Sequence, residues 1–368
     1  MRVVHVTQPV EAGVAAVVLD LALAQRARGW SVVVVCPPTG WLADRARGLG
    51  IDVRAWHATR RPGPWLAKEV LSLRRILTRL DPDVVHLHSS KAGLAGRLAV
   101  RGRIPTVFQP HLWSFQTARG ALGTLSATWE RRASRWTDLV VCVSDDELAI
   151  GRAAGVTADA EVVCNGVDTD RLRPGDRAAA RRGLGLEQNG PLAVCVGRLA
   201  ALKGQDQLLS AWPEVLSRVP GARLVLVGDG PDGHRWRAEH PVSEHGSVRW
   251  WGHSDDPAPF YAAADVVVLP SRAEGMALVP LEAMASGRPV VAFDVGGVRQ
   301  SVGDAGAVVP AGDIGSLAAA ITHRLADPAL ATTEGWRGRW RAETHFDRGR
   351  MADQVATLVD KLARGRMT

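Results

Sequence analysis

Short valine-rich apolar runs alternate with longer amphipathic segments along almost the whole chain, and this alternation constrains the fold more than any single motif. A strand covered on both faces reads as a continuous apolar run. Two parallel strands must also be joined by a long crossover, usually a helix, so the pattern specifies repeated βαβ units and parallel sheets. In the first half the expected strands are 2–7, 31–36, 83–88, 104–108, 138–143 and 161–164, with helices at Asp20–Arg28, Pro64–Leu80, Ala92–Arg101 and Leu122–Trp136. In the second half strands fall near 192–197, 222–227, 247–251, 265–269, 289–293 and 307–309, and helices near 204–218, 279–286, 314–326 and 347–364. Two sheets of similar size result. Between them, residues 171–190 are polar and broken by Pro174, Gly183, Gly185 and Gly190, which reads as a linker.

At 368 residues the chain exceeds what one hydrophobic core supports, so two domains are expected. No apolar run approaches a membrane span, and Met1 leads straight into a strand instead of a signal peptide. Cys36, Cys142, Cys164 and Cys195 lie far apart beside strand-type residues, without metal or redox spacing. These readings place the chain in the cytoplasm. The net charge of +7 points to an anionic partner. Arginine supplies nearly all the positive charge; lysine stands only at 68, 91, 203 and 361, so a lysine inside a glycine-flanked motif is notable. An arginine excess is weak evidence for nucleic acid, and no nucleic-acid partner is expected.

The richest stretch is Ser271-Arg-Ala-Glu274-Gly275-Met276-Ala277-Leu278, continuing to Glu282. It follows the apolar run Val266–Leu269, and gives a strand, a polar loop with one glutamate, then a helix with a second glutamate eight positions on. Ligands of open α/β sheets bind outside the carboxyl ends of the strands, and two carboxylates there suit a ligand bearing two sets of hydroxyls. The plain alternative is a solvated loop glutamate and a helix-start glutamate. Gly197-Arg198-Leu-Ala-Ala-Leu-Lys203-Gly204 also runs from a strand end into a helix, and its Arg and Lys can clamp a diphosphate from two directions.

Three further motifs are less specific. Gly228-Asp-Gly230-Pro-Asp-Gly233 matches a dinucleotide fingerprint, yet no acidic residue ends the next strand, 248–252. It reads as a tight loop lining a nucleotide pocket. Asp168-Thr-Asp170 matches a metal-binding D-x-D pattern, but its Asn165-Gly166 context reads as a turn out of the first domain. The paired Gly296-Gly297 could present amides to phosphate oxygens. In the first half, the loop Pro9–Gly13 opens a helix whose N-terminus is an anion site. His86, His88, Lys91 and His111 stand at or just beyond strand ends, where catalysis competes with a structural role. Trp113, Arg119, Trp129, Arg131, Arg132, Arg135 and Trp136 mix aromatic and basic residues as peripheral membrane helices do; a solvated face with tryptophans in the core is the equal alternative.

Together these motifs resemble a retaining glycosyltransferase of family 4. The resemblance implies the GT-B fold, two Rossmann-like doubly wound domains with a cleft between them. Residues 1–170 would bind the acceptor and 191–346 the nucleotide-sugar donor, with the C-terminal helix at about 347–366 placed to pack back on the first domain. Carried over, Arg198 and Lys203 would bind the donor diphosphate, Glu282 the ribose hydroxyls, and Glu274 the sugar hydroxyls. Gly275, Met276, Ala277 and Leu278 would line the sugar and phosphates, Gly197, Gly228 and Gly230 the nucleotide, and Gly252 and His253 the base. Gly13 would admit the phosphate, His111 would lie near the reacting carbon, and His86, His88 and Lys91 would face the acceptor. Catalysis would fall to His111, Glu274, Arg198 and Lys203, with no cofactor and no metal. Three positions depart from the family pattern: Ala12 where a glycine is common, Gln300 after the paired glycines, and Trp30 after Gly29.

The resemblance implies a hexosyltransferase acting from a UDP- or GDP-sugar, on an acceptor that is a lipid-linked or polysaccharide precursor. Peripheral contact with the inner face of an anionic membrane is an open alternative to a purely cytoplasmic protein. A sugar-nucleotide epimerase of the same fold, an NAD-dependent oxidoreductase and a non-catalytic nucleotide-sugar binder are the rival classes.

Overall fold

In the computed structural model, residues 1–365 are described apart from 61, 119, 244 and 245, and apart from the side chain of Ser243. The chain divides into two compact units. The first holds residues 1–165 and the C-terminal helix Arg348–Gly365; the second holds Gly166–Asp347.

The first unit has seven strands: β1 (Arg2–Thr7), β2 (Ser31–Cys36), β3 (Asp52–Ala55), β4 (Val84–His88), β5 (Thr106–Gln109), β6 (Leu139–Cys142) and β7 (Ala160–Val162). They pair in parallel in the order β3-β2-β1-β4-β5-β6-β7. The second unit has β8 (Leu192–Val196), β9 (Arg223–Val227), β10 (Val248–Gly252), β11 (Val266–Leu269), β12 (Val290–Phe293) and β13 (Gly306–Val309), also parallel, ordered β10-β9-β8-β11-β12-β13. Both are Rossmann-like sheets. Each reverses its winding once, between β1 and β4 and between β8 and β11, and ligand crevices open at such reversals.

Several elements depart from the sequence reading for identifiable reasons. The first helix starts at Ala12, eight residues before Asp20, because alanine and glycine in its first turns carry little periodic signal. Strand β3 is short and largely exposed, as an edge strand can be. Helix Pro328–His345 escapes notice because its pattern is inverted: Ala331, Gly335, Gly338 and Ala342 face inward while Trp336 and Trp340 stay exposed. A side chain at Gly335 would meet the Gly287 carbonyl at 2.3 Å, so this interface admits only backbone. Residues 171–190 are packed into the second unit rather than linking. Arg181 is buried there, donating to the carbonyls of Ala263, Gln188 and Gly190 and to Asp265.

One face of the first sheet is mostly apolar, with Val4, Val6, Val85, Leu87 and Phe108 packed against Trp56, Leu73 and Trp113. The other carries a row of histidines. His5 is the register partner of His86 on β4, and His88 lies two residues on, so all three side chains share a face and all are fully buried. Helix Ala12–Ala27 covers this face through Gln25, and helix Arg348–Gly365 packs on that helix and on β4. Burial lowers His5 to about 4 and His111, which adjoins His88, to about 3; His86 and His88 lie well below the ordinary histidine value.

These groups stay neutral in the native state, while the unfolded chain takes up their protons below about pH 6.5. The contribution of these histidines to stability therefore falls as pH drops from 7 toward 5. Glu147, raised by burial to about 8, works in the opposite direction: its contribution is present below its ordinary value and lost as pH rises through 8. Neither ring nitrogen of His86 makes a well-formed hydrogen bond among the described residues. His86→Leu should flatten the pH dependence of urea unfolding between pH 5 and 7 by up to one proton, about 1.4 kcal/mol per pH unit. An unchanged slope would mean that this ring is not held neutral.

Candidate active site

In the second unit, the loops after β8 and β11 leave neighbouring strands at the winding reversal. The β8 loop turns through Gly197 and Arg198 and ends at Lys203 and Gly204. Gly204 has φ +69°, and a side chain there would lie 1.9 Å from the Pro270 carbonyl, so glycine lets the lysine turn sit directly on the end of β11. Asp206 and Arg272 brace the same contact with two hydrogen bonds of 2.6 and 2.8 Å, and Arg272 also donates to the Ala201 carbonyl. Burial raises Asp206, but its hydrogen bonds to Arg272 and their opposite charges outweigh this and hold it below its ordinary value; the same hydrogen bonds hold Arg272 above its own. Sequence reading passed over this pair, since nothing in the spacing of 206 and 272 signals contact.

The brace brings Lys203 Nζ within 2.7 Å of Glu274 Oε1. Glu274 is buried and Lys203 partly exposed. A cation suited to phosphate and a carboxylate suited to hydroxyls thus share one point. Arg198 is exposed, with no side-chain hydrogen bond or ion pair among the described residues. Gly275, Met276 and Ala277 lead into helix Leu278–Ala285, whose positive end favours an anion. Within that helix, Glu282 accepts a 2.6 Å hydrogen bond from the Tyr261 hydroxyl, and burial raises both groups. Tyr261 is the chain's single tyrosine and was missed in the sequence. It occupies Glu282 Oε2.

The glycine motifs serve backbone packing. A side chain at Gly228 would meet the Gly197 carbonyl at 2.2 Å, and one at Gly230 the Leu199 carbonyl at 2.1 Å. The first two glycines of the dinucleotide match are thus explained by loop-on-loop contact. Asp229 accepts from the His253 amide at 2.9 Å, tying this loop to the Gly252 turn. Gly297 donates its amide to the Gly275 carbonyl at 2.7 Å, so it supports the Glu274 loop instead of offering that amide to phosphate. Asp168 accepts from the Arg171 amide at 3.0 Å, as a turn residue does.

In the first unit, the carboxyl ends of β1, β4 and β5 lie side by side, and each is followed by a non-glycine residue at positive φ: Ala12 at +61°, Ser89 at +67° and His111 at +60°. Such conformations cost about 1–3 kcal/mol each and concentrate at functional sites. Ala12 holds the left-handed conformation itself, with Gly13 following in the helix's first turn. His111 is half-buried and hydrogen-bonded to His88.

Three expected acceptor-side residues are corrected. His86 and His88 are fully enclosed and support the surface from below. Lys91 is buried in a 2.5 Å ion pair with Glu69 on helix Leu66–Leu80, because the lysine points back between two helices. The aromatic and basic cluster also divides. Trp113 is core, Trp129 and Trp136 are partly buried, and Arg131, Arg132 and Arg135 are exposed. Arg119 lies outside the described residues.

A sequence profile described as glycosyltransferase family 4 matches residues 12–171, and one described as glycosyl transferases group 1 matches 190–327. The chain is 32% identical over 330 residues to a GDP-mannose-dependent alpha-(1-6)-phosphatidylinositol monomannoside mannosyltransferase of Mycobacterium tuberculosis, covering 82% of this chain and 83% of the relative. It is 35% identical over 274 residues to D-inositol 3-phosphate glycosyltransferase 2 of Catenulispora acidiphila, covering 67% of this chain and 64%, just under two thirds, of that relative. Among solved structures, sucrose-phosphate synthase of Thermosynechococcus elongatus superposes with a TM-score of 0.85 at 24% identity, over 99% of this chain and all of the other. Anabaena HepE in complex with UDP and glucose gives 0.84 at 24% identity, over 98% of this chain and 99% of the other. With a Lys–Glu pair at the winding reversal of its second sheet and relatives matched across most of its length, this chain belongs to the GT-B glycosyltransferases of family 4.

Proposed function

We propose that the protein transfers a sugar from a nucleotide-diphosphate sugar, UDP- or GDP-linked, to a hydroxyl of a lipid-linked or polysaccharide precursor, with retention of configuration. The carrying observation is the Lys203–Glu274 pair, braced by Asp206–Arg272. The mycobacterial relative is named for GDP-mannose dependence and a phosphatidylinositol-linked acceptor, and HepE was solved with UDP and glucose. In this reading the second unit holds the donor: Arg198, Lys203 and the amides at 276–278 meet the diphosphate, Glu274 the sugar, and Glu282 the ribose. His111, behind Ala12 and Ser89, belongs to the acceptor surface of the first unit.

Breaking the sugar–phosphate bond leaves a nucleoside diphosphate with growing negative charge. Fixed cations and helix amides stabilise that charge without reorganising, the role a divalent ion would otherwise fill, so the reaction runs without metal. Lys203→Ala and Glu274→Ala should each lower turnover at least a hundredfold, about 2.7 kcal/mol or more. Near-normal turnover in either variant removes that residue from the chemistry, and an inverted product sinks the retaining reading. Melting curves with UDP, GDP, ADP and NAD, with and without magnesium, identify the nucleotide. A ligand at a hundred times its Kd adds about 2.7 kcal/mol, and the shift should come with UDP or GDP in chelator as well as in magnesium. A shift with NAD alone would replace transfer by oxidoreduction.

A membrane-borne acceptor is favoured by two helices of the first unit. Around helix Leu66–Leu80, Trp65, Lys68, Leu71, Arg74, Arg75 and Arg79 are exposed, and helix Ala121–Ala133 exposes Leu122 and Leu125. Exposed apolar and basic residues side by side on helix Leu66–Leu80 suit an anionic bilayer. Among the described residues no helix is long and apolar enough to cross a membrane. The chain should co-sediment with vesicles containing anionic lipid, and Trp65→Ser with Leu71→Ser should weaken binding; equal binding to neutral vesicles would count against this mode.

A further inference from the structure

A row of hydrogen bonds runs across the covered face of the first sheet to the acceptor surface. Gln25 Oε1 lies 2.8 Å from His5 Nε2, His5 Nδ1 lies 3.0 Å from His88 Nε2, and His88 Nδ1 lies 3.2 Å from His111 Nε2. A neutral imidazole has one N–H and one lone pair, so a ring bonded at both nitrogens donates through one and accepts through the other. The proton positions along the row are therefore coupled, and one end sets them all. Gln25 Oε1 can only accept. His5 must then carry its proton on Nε2, His88 likewise, and His111 likewise. The row ends with the lone pair of His111 Nδ1, which has no partner among the described residues, on a residue that keeps part of its surface.

We propose that Gln25 and His5, acting through His88, are positioning residues that lock His111 in the tautomer whose Nδ1 accepts a hydrogen bond from a substrate hydroxyl. The inference rests on the reading of His111 as part of the acceptor surface. Burial keeps all three rings of the row uncharged, which the coupling requires. The row also ends on an amide, which has no basic site to hold a proton. It therefore orients a hydroxyl and does not remove its proton.

The same region could be read as a metal site, since His5, His86 and His88 each bring a nitrogen within 4.8 Å of the others. Ligands of a tetrahedral ion must converge on one point at about 2.0–2.1 Å. Here His86 and His88 lie ring over ring, with centroids 4.0 Å apart and planes at 30°, and His5 and His88 point nitrogens at each other. That geometry is a hydrogen-bonded row and not a chelate.

The test uses the full chain labelled with [15N]histidine, with the His111 signals assigned by their loss in His111→Gln. Long-range proton–nitrogen spectra near neutral pH should show His111 in one tautomer, protonated at Nε2 and bare at Nδ1. Gln25→Leu should release both tautomers and lower kcat about tenfold with donor KM within twofold, while Gln25→Glu, which keeps an acceptor oxygen, should restore the single tautomer. A proton on His111 Nδ1 in the unmodified protein overturns the proposal by itself, even if Gln25→Leu does not fold. An unchanged tautomer in Gln25→Leu, or a stoichiometric metal ion in the purified protein, overturns it too. Normal turnover in His111→Gln would overturn the service of that lone pair to substrate, and would leave the Lys203–Glu274 reading standing on its own assay.

Discussion

Parallel pairing governs most of what this molecule can do. Each parallel strand must be reached by a crossover that packs on a face of the sheet, so both faces are covered and only the strand ends remain open. Where the winding reverses, two neighbouring loops leave in opposite directions and open a gap. The reversal between β8 and β11 places Lys203 beside Glu274, seventy-one residues apart in sequence. The reversal between β1 and β4, extended by β5, lines up the three strained residues Ala12, Ser89 and His111. Neither cluster arises from local sequence; both arise from which strands are neighbours.

The covered faces carry different chemistry in the two units. Under the second sheet lies an apolar cluster around Leu208, Trp212, Leu224 and Ile321. The first sheet interrupts its core with His5, His86 and His88, where valines would cost less desolvation. Buried imidazoles remain neutral at a cost that grows as the solution becomes more acidic, and His86 gains no well-formed hydrogen bond in return. A row kept under those terms has a directional role that an apolar core cannot supply, because hydrogen-bond polarity travels along it from Gln25 to the surface.

Sequence reading reached the Lys203 and Glu274 loops because their motifs are local: a strand, a glycine turn and a charged residue within ten positions. It failed where an interaction joins distant segments. The Asp206–Arg272 brace, the Tyr261–Glu282 hydrogen bond and the Lys91–Glu69 pair each couple residues on separate elements. Periodicity also misled where packing is inverted. Helix Pro328–His345 turns its glycines inward and its tryptophans outward, opposite to the pattern that marks a helix.

By itself, the sequence determined the class of fold, two parallel α/β halves, because covering both faces of a strand demands a continuous apolar run at each strand position. It also determined which residue types sit at the strand ends, because glycine, charge and turn residues must cluster where the chain leaves the sheet. Tertiary structure alone decided which of those residues are enclosed in the core and which stay open at the strand ends. Lys91 and Lys203 look alike in sequence, each a lysine within two positions of a glycine after a strand. One is buried between helices on Glu69, and the other is held at the surface beside Glu274. The difference is in the partner each meets across the fold, and that depends on strand order and helix packing, which no local spacing encodes.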